Sequence, residues 1–297
     1  MEEWDLSQPG AAFRRAEYLR SIAVWPGVSQ LDYVGWMSNF DGREAELAGH
    51  LLDCFAFISS GMTKALFTSA FHQLSSYNHL GPNGPRCSRW TKFLKEVVVT
   101  HVEGETPSTT DSGYMFARLA KKHLGIDESQ VVPPERALRI LNAGGGRPIV
   151  FVDDFLGSGD QAITTWNRKY PVSSCVEYSF EESAAHYSSS IYYVPLFATE
   201  NGIKNVSDAC NGLVVAPTHV LKEAESVIHP ASLCWPDSMR SEGVEFIRRC
   251  SARAGISMGD WKGYKGLGLA LAFDHGTPDA TLPIFTHESD AWRPLIR

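Results

Sequence analysis

The chain contains no Cys-x-x-Cys pair and no His-Glu-x-x-His, and its ten histidines and six cysteines follow no other zinc spacing. A zinc ribbon or zincin is therefore excluded. Long apolar runs are also missing: stretches such as Leu267 to Phe273 fall far short of the ~20 residues a bilayer-spanning helix needs. The opening Met1-Glu2-Glu3-Trp4-Asp5 is acidic where a signal peptide is basic, so a cytoplasmic protein without a membrane partner is expected. Positive charge is in deficit, with 27 Lys and Arg against 34 Asp and Glu and a net charge of −7. Such a field repels polyanions, so nucleic acid is not supported as a partner except at a local basic site. There is no internal repeat or low-complexity segment, and 43% apolar with 21% charged residues excludes fibrous and disordered classes. Cysteines 54, 87, 175, 210, 234 and 250 are expected to be reduced core thiols.

What remains is a globular chain of 297 residues, enough for one large α/β domain or two modest ones. Asp41-Gly42-Arg43-Glu44 has the spacing of a helix N-terminus, and apolar residues from Leu47 to about Gln73 continue at helical spacing as one or two helices. The run Gly81-Pro82-Asn83-Gly84-Pro85 then breaks any element and marks a boundary. Two regions are expected: 1–92, mainly helical and packed on the core, and 93–297, an α/β domain.

Beyond the break, Val97 to Val102 reads as a buried strand, followed by a loop to Thr110 and a helix capped by Asp111 or Ser112 that stops at Gly125. A second helix starts at Pro133-Pro134-Glu135 and ends at Gly144-Gly145-Gly146. Pro148 to Val152 suits a central strand, Ala162 to Trp166 a helix, and Ile191 to Phe197 and Leu213 to Val215 further strands, with weak helix at 201–210 between them. A helix near 241–253 and a strand at 267–273 complete the tail. This alternation predicts an α/β fold with an open, mainly parallel sheet flanked by helices and an N-terminal helical extension.

In such sheets ligands sit beyond the carboxyl ends of the strands, where a strand-to-helix loop presents backbone N–H groups and the helix dipole. Asp153-Asp154-Phe155-Leu156-Gly157-Ser158-Gly159-Asp160-Gln161 places two carboxylates at that position and then small residues that let backbone wrap an anion. Carboxylates accept hydrogen bonds from ribose hydroxyls and supply hard oxygens to Mg²⁺. A ribose 5-phosphate with a metal meets both demands. Receiver domains and Mg²⁺-dependent phosphotransferases also carry paired acids after a strand, and a purely structural turn remains open. Ser60-Gly61-Met62-Thr63-Lys64 lacks the P-loop order and is assigned to packing, and Lys121 and Lys122 suit the last turn of a solvated helix.

The segment 149–161 resembles the signature of the type I phosphoribosyltransferases: a hydrophobic strand, two acids, two spacers, then Ser or Thr and Gly. The resemblance implies that Asp153 and Asp154 meet the ribose hydroxyls of phosphoribosyl pyrophosphate (PRPP) and associate with Mg²⁺, and that Gly157, Ser158, Gly159, Asp160 and Gln161 hold the 5′-phosphate. It also implies that Thr110, Asp111, Ser112 and Gly113 face the diphosphate. Gln161 departs from the family's usual Thr, and no basic flap residue is assigned by motif. With Gly113-Tyr114, Tyr193 to Phe197 and His275 to Pro278, the whole chain is similar to phosphoribosyltransferase-like effectors of bacterial conflict and antiphage systems. That resemblance implies chemistry at the anomeric carbon of PRPP or a nucleotide. The alternative is a catalytically silent nucleotide-sensing or scaffold module that controls a partner protein of a defence system.

Overall fold

A computed structural model describes residues 9–77, 86–104, 112–173, 175–187 and 189–297. The chain divides into two compact units, one made of Met1–Ser60 with Lys222–Arg297 and the other of Gly61–Leu221. This division differs from the one drawn from sequence at residues 92 and 93. The segment 222–297 groups with the first sixty residues, and the boundary loop 81–85 lies outside the described residues.

The first unit begins with α1 (Pro9–Ser21), α2 (Tyr33–Met37), α3 (Gly42–Cys54) and the short strand β1 (Ala56–Ile58). α3 starts where the sequence placed it, although the Asp41 side chain makes no capping hydrogen bond. The second unit opens with α4 (Ser60–Gln73) and α5 (Arg86–Glu96), followed by β2 (Val98–His101), α6 (Ser112–Leu124) and α7 (Pro134–Asn142). Then come β3 (Ile149–Leu156), α8 (Asp160–Asn167), β4 (Tyr170–Ser173) and β5 (Val176–Tyr178). α9 (Phe180–His186), β6 (Ile191–Thr199), α10 (Glu200–Ala209), β7 (Leu213–Val215) and β8 (His219–Leu221) complete it. The chain returns to the first unit with α11 (Arg240–Ala254) and β9 (Leu271–Phe273).

Parallel pairing of Ala56–Ile58 with Leu271–Phe273 joins the two segments of the first unit. Its core is aromatic, and the indole N–H groups of Trp36 and Trp292 both donate to the Ile284 carbonyl, at 3.1 and 2.9 Å. Both buried indole donors are thereby satisfied.

The second unit is built on a five-stranded parallel sheet in the order β2-β3-β6, beyond which β7 and β8 pair with successive stretches of the same edge of β6. The β-branched and aromatic runs that predicted strands are buried on both faces, as parallel sheets require. Phe151, Tyr193, Trp166 and Phe180 pack on one side. Phe67, Phe71, Phe93 and Phe116 form a separate ring cluster that meets Tyr192. The fold is α/β, with helices flanking a mainly parallel sheet. Among the described residues no helix is long and apolar enough to cross a membrane. The expectation that all cysteines are core thiols is corrected: Cys54, Cys87 and Cys175 are exposed, because they fall at a helix end, in a helix first turn and in the β4–β5 turn.

Candidate functional site

Because β2, β3 and β6 are parallel, the segments that follow them all leave from one edge of the sheet, with Val152 paired to His101 on one side and to Val194 on the other. β3 is longer than its apolar run suggested. Phe155 and Leu156 find partners in Phe197 and Ala198, so the acids lie within the carboxyl-terminal half of the strand and the turn begins at Gly157. Asp153 registers with Pro195, which has no N–H to give the ladder, so pairing is interrupted beside the acid.

The two acids have different environments. Asp153 is buried, with Oδ1 accepting from the backbone N–H of Asp154 at 2.9 Å and Oδ2 from the Tyr193 hydroxyl at 2.9 Å. Burial first, and then the neighbouring Asp154 charge, pushes the Asp153 carboxyl well above the usual carboxylate range. Asp154 is half-buried and hydrogen-bonds the Asp153 side chain. Burial and the Tyr193 bond thus set the inner acid apart from the outer one. Tyr193 was singled out in sequence only as part of a strand; the signal for its role is its place two residues before the ladder-breaking proline, one strand over from the acids.

The loop after β3 is fixed by α10. Thr199, the N-cap of that helix, accepts from the Gly202 N–H at 2.9 Å and donates to the Gly157 carbonyl at 2.6 Å. Asn205 donates its amide to the Ser158 carbonyl at 2.9 Å. Gly159 caps α8 with φ of 92°, a conformation that glycine adopts without a steric penalty, and a Cβ there would lie 3.0 Å from a Val206 methyl. Ser158 donates its hydroxyl to Asp160 Oδ2 at 2.8 Å and accepts the Asp160 N–H at 3.3 Å. Gln161 follows in the first turn of α8, whose leading amides have no intrahelical acceptor.

Of the residues assigned to a leaving group, Ser112 and Gly113 open α6, while Thr110 and Asp111 lie outside the described residues. The chain leaves β2 under tight control. Glu103 Oε2 accepts from Arg168 at 2.9 Å and from the Tyr170 hydroxyl at 2.6 Å, and Arg168 also donates to the Gly104 carbonyl at 2.8 Å.

Among the described residues no three His, Cys, Asp or Glu side chains come together as a metal cage. The donor set fits a magnesium ion carried mostly by a ligand's own oxygens, with Asp154 as the protein's carboxylate, since Asp153 already gives both oxygens to protein donors.

The PRTase-CE family model matches residues 33–297, from the first residue of α2 to the end of the chain. No curated protein matches the chain.

Proposed function

This chain belongs to the PRTase-CE family, and from that premise we propose that its phosphoribosyltransferase-like fold binds a ribose phosphate, PRPP or a nucleotide, and acts at the anomeric carbon. The observation that carries the reading is the placement of a half-buried Asp154 and an α10-pinned Gly157–Ser158–Gly159 turn at the carboxyl end of the central strand. Asp154 accepts from the ribose hydroxyls. The amides of 157–161 and the α8 dipole hold the 5′-phosphate. As the bond at the anomeric carbon stretches, positive charge develops on the sugar, and the fixed Asp154 carboxylate stabilises it. Magnesium, when bound, neutralises charge on a departing diphosphate. Asp153 and Tyr193 keep the outer acid in place rather than touching the sugar.

Antiphage defence is the setting we propose for this chemistry, in line with the resemblance of the chain to phosphoribosyltransferase-like effectors of bacterial conflict systems. The second reading is a silent nucleotide sensor acting on a partner protein, and the engagement of Asp153 by Tyr193 favours it. Calorimetric titration with PRPP and a nucleoside monophosphate, each with and without Mg²⁺, combined with mass spectrometry for diphosphate or free base, tests both. Saturable Mg²⁺-dependent binding with product release is expected. Binding without product supports the sensor. Asp154→Asn, an isosteric change outside the core, should fold normally and weaken binding at least 10-fold, about 1.4 kcal/mol. Unchanged affinity and unchanged Mg²⁺ dependence in that variant would remove the acid from the site.

Asp160 gives an opposite expectation. Its carboxylate occupies the cradle's hydroxyl, so an incoming phosphate must displace Ser158 and approach a like charge, a cost of a few kcal/mol at most at the edge of solvent. Asp160→Asn keeps an acceptor for Ser158 and removes the charge. Ribose-phosphate affinity should rise about 10-fold, read from the same titration. A fall in affinity would show that the carboxylate faces a cation or a ligand hydroxyl instead.

A further inference from the structure

Two thiols of the first unit meet far from the carboxylate pair in sequence and outside the unit that holds it. Cys54 is the last residue of α3 and is exposed, whereas Cys234 is buried in the segment leading to α11. Cys234 Sγ lies on the final turn of α3, 3.6 Å from the carbonyl of His50, the residue one helical turn before Cys54. The side chains of Cys54 and Cys234 hydrogen-bond each other. Arg15 donates to the carbonyl of Asp53 at 2.8 Å and to its carboxylate at 3.4 Å, which places a guanidinium beside the exposed thiol.

We propose that Cys54 and Cys234 are a reversible redox site, in which Cys54 is the peroxide-reactive thiol and Cys234 the resolving one. The hydrogen bond from Cys234 holds the Cys54 thiol below its ordinary pKa, with Arg15 acting in the same direction. The Cys234 thiol is pushed up by that same bond and by burial. In the first step the Cys54 thiolate attacks one oxygen of hydrogen peroxide. The O–O bond breaks, Cys54 becomes a sulfenic acid, and the departing hydroxide takes a proton to leave as water. In the second step the Cys234 sulfur attacks the Cys54 sulfur and gives up its proton, the S–O bond breaks, and a second water leaves. Two thiols are oxidised to one disulfide, and one peroxide is reduced to two waters.

The bond would join the two segments of one unit, 1–60 and 222–297, which residues 61–221 separate in sequence. It closes a long loop in the unfolded chain, the case in which a cross-link constrains the denatured state most.

The test uses the full chain in a Cys87→Ser, Cys175→Ser background, which removes the other exposed thiols. After treatment with hydrogen peroxide and blocking of remaining thiols, non-reducing digestion and mass spectrometry should find a peptide linking Cys54 to Cys234. Dithiothreitol should reverse it, and the oxidised protein should melt about 5 °C higher than the reduced one. Cys234→Ser should leave Cys54 trapped as a dimedone-reactive sulfenic acid, while Cys54→Ser should leave Cys234 unoxidised at the same peroxide dose. If Cys54 goes to sulfinic acid with Cys234 still alkylatable, or links two chains through Cys54, the proposal is overturned. The Cys54→Ser arm keeps the test valid should the buried substitution fail to fold.

Discussion

Gly202→Ala is expected to destabilise the protein by about 3 kcal/mol and to abolish ribose-phosphate binding, although an alanine normally improves a helix by up to about 1 kcal/mol. Gly202 is the third residue of α10, and a Cβ built there would stand 2.1 Å from the Gly157 carbonyl oxygen and 3.0 Å from Thr199 Oγ1. The first contact is with backbone, which cannot rotate away as a side chain can. Either α10 moves, and its Thr199 cap and Asn205 bond go with it, or the turn 157–159 moves and the cradle opens. Each lost hydrogen bond costs about 1 kcal/mol, and the steric displacement adds to them. Gly10→Ala in α1 is the control, because its added methyl meets nothing closer than the Arg14 guanidinium at 3.6 Å and should be neutral or slightly stabilising. Denaturant melts of both variants, followed by titration of the folded Gly202→Ala protein with PRPP, make the comparison. A Gly202→Ala protein as stable as the Gly10→Ala one, or one that binds like the parent, would mean that the close approach of helix and turn does not shape the cradle.

That contact marks where sequence reading ends. Val98 to His101, Ile149 to Val152 and Ile191 to Phe197 were legible as strands because residues buried on both faces leave runs rich in β-branched, aliphatic and aromatic side chains without a solvent-facing alternation. The acids and the small residues after them were legible because a strand end followed by Gly-Ser-Gly is a local pattern. The partner of that pattern is not local: Thr199 lies some forty residues away, just past an expected strand, and Gly202 and Asn205 follow in a stretch that read only as a weak helix. β1 was hidden for a similar reason. Three residues, Ala56–Ile58, continue a helical apolar spacing, and only pairing with Leu271–Phe273 makes them a strand. The expected strand 267–273 shortened because Gly266 and Gly268 take φ of 70° and 57°, which bends the chain before pairing begins. α1 lies in the region expected to be mainly helical, and Pro9 stands at its first position, where a missing N–H has no helical acceptor to lose. The different environments of Asp153 and Asp154 could not be read from two adjacent identical letters; the Tyr193 hydroxyl and burial separate them.

Glu103→Ala is the second change expected to act strongly, by about 3 kcal/mol, at the point where the chain leaves β2. Glu103 and Arg168 are both largely buried, and the carboxylate also takes the Tyr170 hydroxyl, whose pKa is raised by burial and then by that bond. Removing the acid leaves a guanidinium and a phenol with one partner fewer in a poorly solvated place, and breaking a buried pair from one side costs about 3–5 kcal/mol. The main chain of Glu103 is tied separately, because its N–H donates to Thr165 Oγ1 and its carbonyl accepts from that hydroxyl, both at 3.1 Å. Loss of the side chain should therefore loosen the exit from β2 without melting the strand. Tyr170→Phe removes a single neutral donor and should cost only about 1 kcal/mol. If the start of α6 faces a diphosphate, as the family resemblance implies for Ser112 and Gly113, Glu103→Ala that is still folded should lose PRPP affinity while keeping most of its affinity for a nucleoside monophosphate, which has no diphosphate to place. Denaturant unfolding and paired titrations of the three proteins measure this. An equal loss for both ligands would assign Glu103 to general stability, and a cost no larger than that of Tyr170→Phe would mean that Arg168 finds solvent as soon as its partner is gone.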